Sequence, residues 1–233
     1  MMGISKRLKG IIDFVPKNSI VGDIGTDHGH IPTYLIKYNI SKKVIATDIS
    51  KDCLQKAIDY IDELDYRKYI ETRLGDGLKP FRPYEIDTLI IAGMGGVLIR
   101  EILEEDKEKT KSITNFIFQP MTAGDELRKY LKENQFKIIK EGLIKEEDKF
   151  YEIIYAKQGL EVIGDDIYLE IGEKLTDGKH PLLEDFLQYK INSTENIMNG
   201  LEGVDTNKAK NKYLELEKLN KKYKEVLTNV KGK

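Results

Sequence analysis

The sequence contains very little cysteine and histidine. Of its 233 residues, one is a cysteine, Cys53, and three are histidines. A single cysteine excludes an internal disulfide bond. So few sulfur and imidazole groups also argue against a structural zinc site, which usually takes four such ligands. The sequence therefore predicts a protein that folds without a disulfide framework and without a metal.

Long apolar runs are also absent. No segment approaches the roughly 20 apolar residues that span a bilayer, and residues 1–14 lack the apolar core of a signal peptide. These absences predict a cytoplasmic protein with no membrane partner. The formal net charge of −2 does not by itself suggest nucleic acid, although an average can hide a basic patch.

Apolar runs alternate with amphipathic stretches over residues 19–157. The predicted strands are 19–23, 43–47, 70–74, 87–92, 115–119, 136–143 and 151–157. Helices are predicted at 31–38, after Ser50, at 97–103 and at 125–133. This alternation is typical of a parallel α/β sheet with helices on both faces. The last two strands form a terminal antiparallel pair, which favours the methyltransferase variant of a Rossmann-like fold over the dehydrogenase variant.

The chain changes character after Gly159. Residues 160–181 are predicted to be irregular, with a short helix at 166–175, and two long helices follow. Their seam residues are Leu183, Phe186, Leu187, Lys190, Ile191, Thr194, Ile197, Met198 and Leu201, then Ala209, Tyr213, Leu216, Leu219, Tyr223, Leu227 and Val230. Steps of three and four indicate a coiled coil, broken at Gly200 and Gly203, with Asp205 or Thr206 as the next cap. We predict an α/β domain at 1–159 and a helical coiled-coil hairpin domain at 160–233.

The loop after the first strand has a pattern typical of a nucleotide-like ligand. It runs from Asp23 to Gly29, with glycines two and six places after the acid, at the carboxyl edge where such ligands bind. Asp27 stands where a dinucleotide fingerprint has its middle glycine. A carboxylate there would repel a pyrophosphate but suits an ammonium and a sulfonium, which favours S-adenosylmethionine (SAM) over NAD. The alternative is a simple glycine turn between strand and helix.

Two further acids follow the next two strands. Asp48 lies roughly 20 residues beyond the glycines, where an acid can hold ribose hydroxyls; the less favoured alternative is that it caps the next helix. Asp76 is placed to accept from an adenine amino group, or to serve as a turn residue. After the fourth strand, segment 92–96 is rich in glycine. It leaves room for a flat base, or for a close crossing of helix and strand.

Six segments of the sequence form a recognisable set: Ser5-Lys6-Arg7-Leu8, Asp23-Ile24-Gly25-Thr26-Asp27-His28, Leu74-Gly75-Asp76-Gly77, Ala92-Gly93-Met94-Gly95-Gly96, Phe118-Gln119-Pro120 and Tyr151-Glu152-Ile153-Ile154. In these segments the sequence resembles the TrmK family of bacterial tRNA adenine-N1 methyltransferases. The resemblance implies a class I methyltransferase domain with a helical coiled-coil domain behind it. It also implies methyl transfer from SAM to N1 of the adenosine at tRNA position 22.

The resemblance also implies which residues form the site. Those expected around SAM are Asp23, Gly25, Asp27, His28, Asp48, Ile49, Asp76, Gly77 and Gly93; those expected at the target base are Met94, Gly95 and Gln119. One position departs from the family pattern, which has asparagine after Gln-Pro where this chain has Met121. A polar contact to the substrate is therefore either missing or made by another residue.

The charge pattern of the hairpin fits an RNA partner. Residues 206–233 contain nine lysines against three glutamates, a difference of +6, and residues 182–205 give −4. The candidate phosphate contacts are Lys218, Lys221, Lys222 and Lys224, with a second cluster at Lys6 and Arg7. The alternative is a solvated coiled coil whose two helices complement each other in charge.

Three functions remain open from the sequence. The first is the tRNA methyltransferase, in which N1 attacks with its in-plane lone pair and needs no general base. The second is a SAM-dependent methyltransferase of a small molecule or protein, with the hairpin used for oligomerisation. The third is a non-catalytic binding module, against which the series Asp23, Asp48 and Asp76 argues.

Overall fold

The computed structural model describes residues 4–160 and 163–232, which form two compact units that divide between residues 162 and 163. The first unit contains strands β1 (Ser19–Ile24), β2 (Ser41–Asp48), β3 (Ile70–Leu74), β4 (Thr88–Met94), β5 (Asn115–Pro120), β6 (Phe136–Glu146) and β7 (Lys149–Gln158). Its helices are α1 (Lys6–Ile12), α2 (His30–Lys37), α3 (Lys51–Glu63), α4 (Gly96–Glu105), α5 (Lys107–Ser112) and α6 (Gly124–Glu133). The second contains α7 (Ile167–Ile171), α8 (Glu173–Asp177), α9 (Leu183–Leu201) and α10 (Asn207–Lys231). No helix within these ranges is both long and apolar enough to cross a membrane.

The seven strands form one sheet in the order β3-β2-β1-β4-β5-β7-β6. The first five strands run parallel, and β7 lies antiparallel between β5 and β6. The prediction of a seven-stranded Rossmann-like sheet with a terminal antiparallel pair is confirmed. Because β7 runs in the opposite direction, its first residues lie at the edge where β1, β4 and β5 end.

The sheet has a hydrophobic core on each face. Successive residues of β5 supply them in turn, with Phe116 and Phe118 in one core and Ile117 in the other. All six residues of β5 are buried, as expected for a central strand covered on both sides.

Helix α1 was not predicted from the sequence. It has only seven residues and contains Gly10, which lowers its helical signal. Ser5 caps it by accepting from the Leu8 amide at 3.2 Å. The glycine is required by packing, because a Cβ there would lie 2.7 Å from the side chain of Ile144 on β6. Tertiary contact, which the sequence does not display, therefore fixes this helix against the sheet.

In the second unit, α9 and α10 form an antiparallel hairpin. Leu201 and Tyr213 line one groove near the connection, and farther along Glu195 pairs with Lys224 at 2.7 Å. Gly203, with φ of +80°, breaks the chain, whereas Gly200 lies inside α9. Thr206, not Asp205, caps α10 by accepting from the Ala209 amide.

Two details of the second unit differ from the predictions. Ile197 is 51% exposed, so its assignment to the seam was wrong. The buried stripe runs through Ile191 and Thr194 toward half-buried Met198, and Ile197 lies beside it. The short helix predicted at 166–175 is two helices, because Gly172 adopts φ of +81° between them.

A buried ionic cluster joins α6 to the last two strands. The guanidinium of Arg128, 1% exposed, donates to Glu141 at 2.7 Å and to Glu152 at 2.5 Å. The Glu141 side chain is equally buried. Breaking such a buried pair leaves an uncompensated charge, which costs far more than losing an exposed pair.

We expect Arg128→Ala to lower the free energy of unfolding by about 3–5 kcal/mol, because it strands two carboxylates in the interior. The matched control is Arg67→Ala, which removes an exposed arginine paired with Asp62 and should cost far less, because water screens an exposed pair. Urea denaturation of both variants measures the difference. Equal, small losses would contradict a structural role for the buried cluster.

Candidate functional site

A cavity of about 510 Å³ opens at the carboxyl edge of the sheet. Its lining combines the loops after β1, β4 and β5 with the start of β7 and part of α1. The residues are Arg7, Leu8, Asp23, Gly25, Thr26, Asp27, His28, His30, Ile31, Ala92, Gly93, Met94, Met121 and Tyr151. The chain reverses its winding direction at β1 and β4, and ligands of such sheets bind at this point.

The loop after β1 is tightly constrained. Gly25 adopts φ of +74°, and a Cβ there would lie 2.5 Å from the Cε of Met94. Asp27 is also left-handed, with φ of +52°. The amides of Gly25 and Thr26 both donate to the Thr47 carbonyl on β2. The glycine is therefore needed for its left-handed backbone conformation.

Asp23 presents an unsatisfied carboxylate to this cavity. Its side chain is 2% exposed, and Oδ2 has no hydrogen-bond partner among the described residues. Burial raises the pKa of Asp23 to about 7, and the negative charge of Asp48 adds to the shift while the Thr26 hydroxyl opposes it. A buried acceptor without a donor is costly, so the site is suited to a ligand that brings a cation or an N–H group.

Asp48 connects two loops of the site. Its carboxylate accepts from the Asp27 amide at 3.1 Å and from the Ser50 amide at 2.8 Å. The alternative in which Asp48 caps the next helix is not observed, because Ser50 caps α3 with a bond from the Cys53 amide. Asp48 and the 71% exposed Ile49 lie outside the cavity lining.

Asp76 and Gly77 lie farther along the same edge, after β3. The Asp76 carboxylate is half exposed and pairs with Lys79 at 2.7 Å. Gly77 is buried with φ of +51°. Neither residue lines the cavity. The structure therefore places the predicted cofactor residues in two groups, one inside the cavity and one beside it along the ends of β2 and β3.

The residues predicted at the target base are also divided. Met94 lines the cavity, as does Gly93 with φ of +77°. Gly95 begins the next helix, and a Cβ there would lie 3.2 Å from the Thr122 hydroxyl. At Gly96 a Cβ would lie 2.0 Å from the Ala123 carbonyl oxygen. The close crossing proposed as an alternative therefore accounts for Gly96, whereas Gly93 and Met94 face the cavity.

Gln119 lies behind the cavity wall. Its side chain is fully buried; Oε1 accepts from Arg7 at 2.7 Å and Nε2 donates to the Pro120 carbonyl at 2.9 Å. Arg7, which the sequence assigned to RNA phosphates, thus points inward to Gln119. Lys6 beside it is exposed, and its backbone amide donates to the side chain of Glu146 at the end of β6.

Sequence reasoning missed several lining residues, notably His30, Met121 as a wall residue, and Tyr151. Burial lowers the pKa of His30, and the neighbouring His28 lowers it further. The two imidazoles stack 5.8 Å apart, and His28 lies 2.9 Å from the Asp27 carboxylate. Only the position of Tyr151, at the start of a strand antiparallel to β5, indicated that it reaches this edge.

Within the described ranges, no group of three or more histidine, cysteine or acidic residues is arranged to hold a metal.

Residues 4–154 match the family described as a methyltransferase domain. The chain belongs to the TrmK family of methyltransferases. It is 29% identical to the tRNA (adenine(22)-N(1))-methyltransferase of Bacillus subtilis, over 96% of this chain and 97% of that protein. Sp1610 of Streptococcus pneumoniae, solved in complex with S-adenosyl-L-methionine, is 30% identical, with a TM-score of 0.86 over 97% of this chain and all of that one. TrmK of M. capricolum, solved with S-adenosyl-homocysteine, is 27% identical, with a TM-score of 0.81 over 97% of this chain and 98% of that one.

The raised pKa of Asp23 should make the stability of the free protein fall as the pH rises. Below about pH 7 the folded state keeps a proton on Asp23, whereas the unfolded chain releases it near pH 3.8. Stability is therefore lost as the pH rises from 3.8 to about 7. The free energy of unfolding of Asp23→Asn, relative to that of the wild type, should rise by up to about 1.4 kcal/mol per pH unit between pH 5 and 7. Above about pH 7 this difference should stay constant. Urea denaturation at several pH values tests this, and a difference that does not change with pH would contradict the shift.

Proposed function

We propose that this protein transfers a methyl group from SAM to N1 of an adenosine in tRNA, at position 22. The observation that carries the proposal is the unsatisfied Asp23 carboxylate in a cavity at the switch point of the sheet. The relatives supply the substrate class, because the B. subtilis protein that matches both units is a tRNA (adenine(22)-N(1))-methyltransferase. Action on tRNA also favours the cytoplasm as its location.

The residues present fit SAM. Asp23 offers the free carboxylate that an ammonium group requires, and Asp27 adds negative charge at the same end of the cavity. Asp48 keeps acceptor capacity toward ribose hydroxyls beyond its two backbone bonds. Exposed Ile49 and the Asp76–Gly77 turn lie where an adenine would extend along the sheet edge. The lowered pKa of His30 favours its neutral form, in which the ring does not repel a cationic ligand.

SAM supplies an electrophilic methyl group on sulfur. Adenine N1 carries an in-plane lone pair and forms the new bond directly, so no residue of this chain has to remove a proton. The protein contributes position and exclusion of water. Gly25 and Gly93 let the backbone approach closely, and Met94 packs between the loops after β1 and β5. Because N1 lies within a Watson–Crick edge, the base has to be unpaired before it enters the cavity.

The second unit is proposed to bind tRNA phosphates. Of the four lysines named from the sequence, Lys222 pairs with Asp165 at 3.0 Å and Lys224 pairs with Glu195 at 2.7 Å. Lys218 and Lys221 are exposed and form no ion pair within the described ranges. These two are therefore the better candidates for phosphate contacts, together with Lys6 on the first unit.

The direct test is methyl transfer from labelled SAM to tRNA transcripts. We expect incorporation into a transcript with adenosine at position 22, located there as 1-methyladenosine, and none into the matched transcript with guanosine at 22. Incorporation at another nucleotide would correct the position. Activity only on a small molecule or protein would instead support the alternative in which the hairpin serves oligomerisation.

The lysine pairs provide a matched comparison for RNA binding. Each phosphate contact changes the slope of log affinity against log salt by about −0.9 on a duplex. In the double variant Lys218→Gln, Lys221→Gln, the magnitude of this slope should decrease by up to about 2, because both contacts are lost. The control Lys222→Gln, Lys224→Gln should reduce it less, because those ammonium groups are already neutralised. Fluorescence anisotropy with tRNA at several salt concentrations measures both, and identical slopes in all proteins would rule out the assignment.

A further inference from the structure

The cavity has two chemically different ends. Asp23 and its neighbours lie at the β1 end. Arg7, Met121 and Tyr151 lie at the β5–β7 end, and Met94 of β4 lies between them because β4 separates β1 from β5 in the sheet. The residues that fit the cofactor account for the first end only. The second end is therefore available for the group that receives the methyl.

Tyr151 is held firmly at this second end. Its backbone pairs with Ile144 in the β6–β7 ladder. The guanidinium carbon of Arg7 lies 5.6 Å from the centroid of its ring. Arg7 is in turn fixed by its 2.7 Å bond to Gln119, whose amide is fully buried. Gln119 and Arg7 thus act as positioning residues for the ring.

The other aromatic rings of the lining are committed elsewhere. His28 and His30 stack on each other at the β1 end, and His30 also makes an edge contact with Tyr60 at 5.3 Å. Among the lining residues, Tyr151 is the one aromatic side chain that comes from the β5–β7 side. The ring already holds a planar cation, the guanidinium, which shows that its surroundings accept one.

We propose that Tyr151 stacks on the target adenine and stabilises the positive charge that this base acquires. The inference rests on the proposed function. The N1 lone pair forms the bond to the methyl carbon, the carbon–sulfur bond breaks with its electron pair left on sulfur, and no proton moves. One positive charge therefore passes onto the adenine ring. An aromatic face attracts a cation more strongly than a neutral base, so the contact strengthens toward the transition state and accelerates transfer.

The neighbouring charge of Arg7 makes this contribution more important. A guanidinium close to the base opposes a positive charge on it, and Met121 supplies no negative group in compensation. Asp23 lies at the other end of the cavity. The ring of Tyr151 is therefore the group at the β5–β7 end that favours the charged over the uncharged base.

The test replaces Tyr151 by phenylalanine and then by mono-, di- and trifluorinated phenylalanines, which keep the shape of the ring but progressively remove its attraction for cations. We expect kcat for tRNA methylation to fall stepwise, by about tenfold over the series, while SAM affinity measured by calorimetry stays unchanged. A second measurement needs no cofactor. It compares the affinity of the protein for methylated tRNA with its affinity for unmethylated tRNA, at a pH where 1-methyladenosine is cationic. The ratio of these two affinities should fall by a similar factor over the series.

The same series at Tyr155 is the control. Tyr155 lies four residues along β7, outside the cavity lining, and its hydroxyl donates to Asn115 at 2.8 Å, so fluorination there should give no trend. A flat series at Tyr151, in an enzyme whose wild type methylates position 22, would overturn the inference and leave the proposed function standing. A wild type that does not methylate tRNA at all would overturn the proposed function and this inference with it.

Discussion

The carboxylate of Asp48 is the interaction on which the geometry of the site depends. By accepting from the backbone of Asp27 and Ser50, it joins the loop after β1 to the start of α3. Both loops leave the sheet at neighbouring strand ends, where the chain would otherwise be free to separate. With the loops held, Gly25 packs against Met94, and Oδ2 of Asp23 remains inside without a hydrogen-bond partner among the described residues. The unsatisfied acceptor of the site thus depends on bonds made by a different acid.

The same edge of the sheet combines features that a stable fold would normally avoid. A buried carboxylate without a donor, several left-handed residues and two adjacent imidazoles all lie within one cavity. Away from this edge, the large buried side chain of Arg128 is paired with Glu141 and Glu152. Unfavourable local features that gather at one place in a fold are typical of a functional site.

Much of this architecture could be predicted from the sequence. The seven strands and their antiparallel end follow from apolar runs such as those of β4 and β5, because buried central strands are apolar throughout. Helix α1 could not be found, since it is short and depends on Gly10 packing against Ile144. In the second unit the seam was mostly recognised, but spacing alone did not distinguish Met198 from Ile197.

Prediction of the site was more uneven. Motif residues close together in sequence, Asp23 to His28, do line the cavity, because one loop carries them. Gln119 was identified by its position at the end of β5, yet the direction of its side chain depends on Arg7, which is 112 residues away in sequence. Tyr151 reaches the cavity only because β7 runs antiparallel, so its role depends on strand direction rather than on any local pattern. The assignments to cofactor, base and phosphate remain predictions.

The pKa of Asp23 near 7 has a consequence for the exchange of ligands. In the free protein below about pH 7, a proton occupies the place that a cationic ligand would take, so the two compete for one carboxylate. Binding of the cation then releases the proton to solvent, and departure of the ligand takes one up. The enthalpy of binding measured by calorimetry would therefore include the ionisation heat of the buffer, and the empty site would be protected from an isolated negative charge until the next ligand arrives.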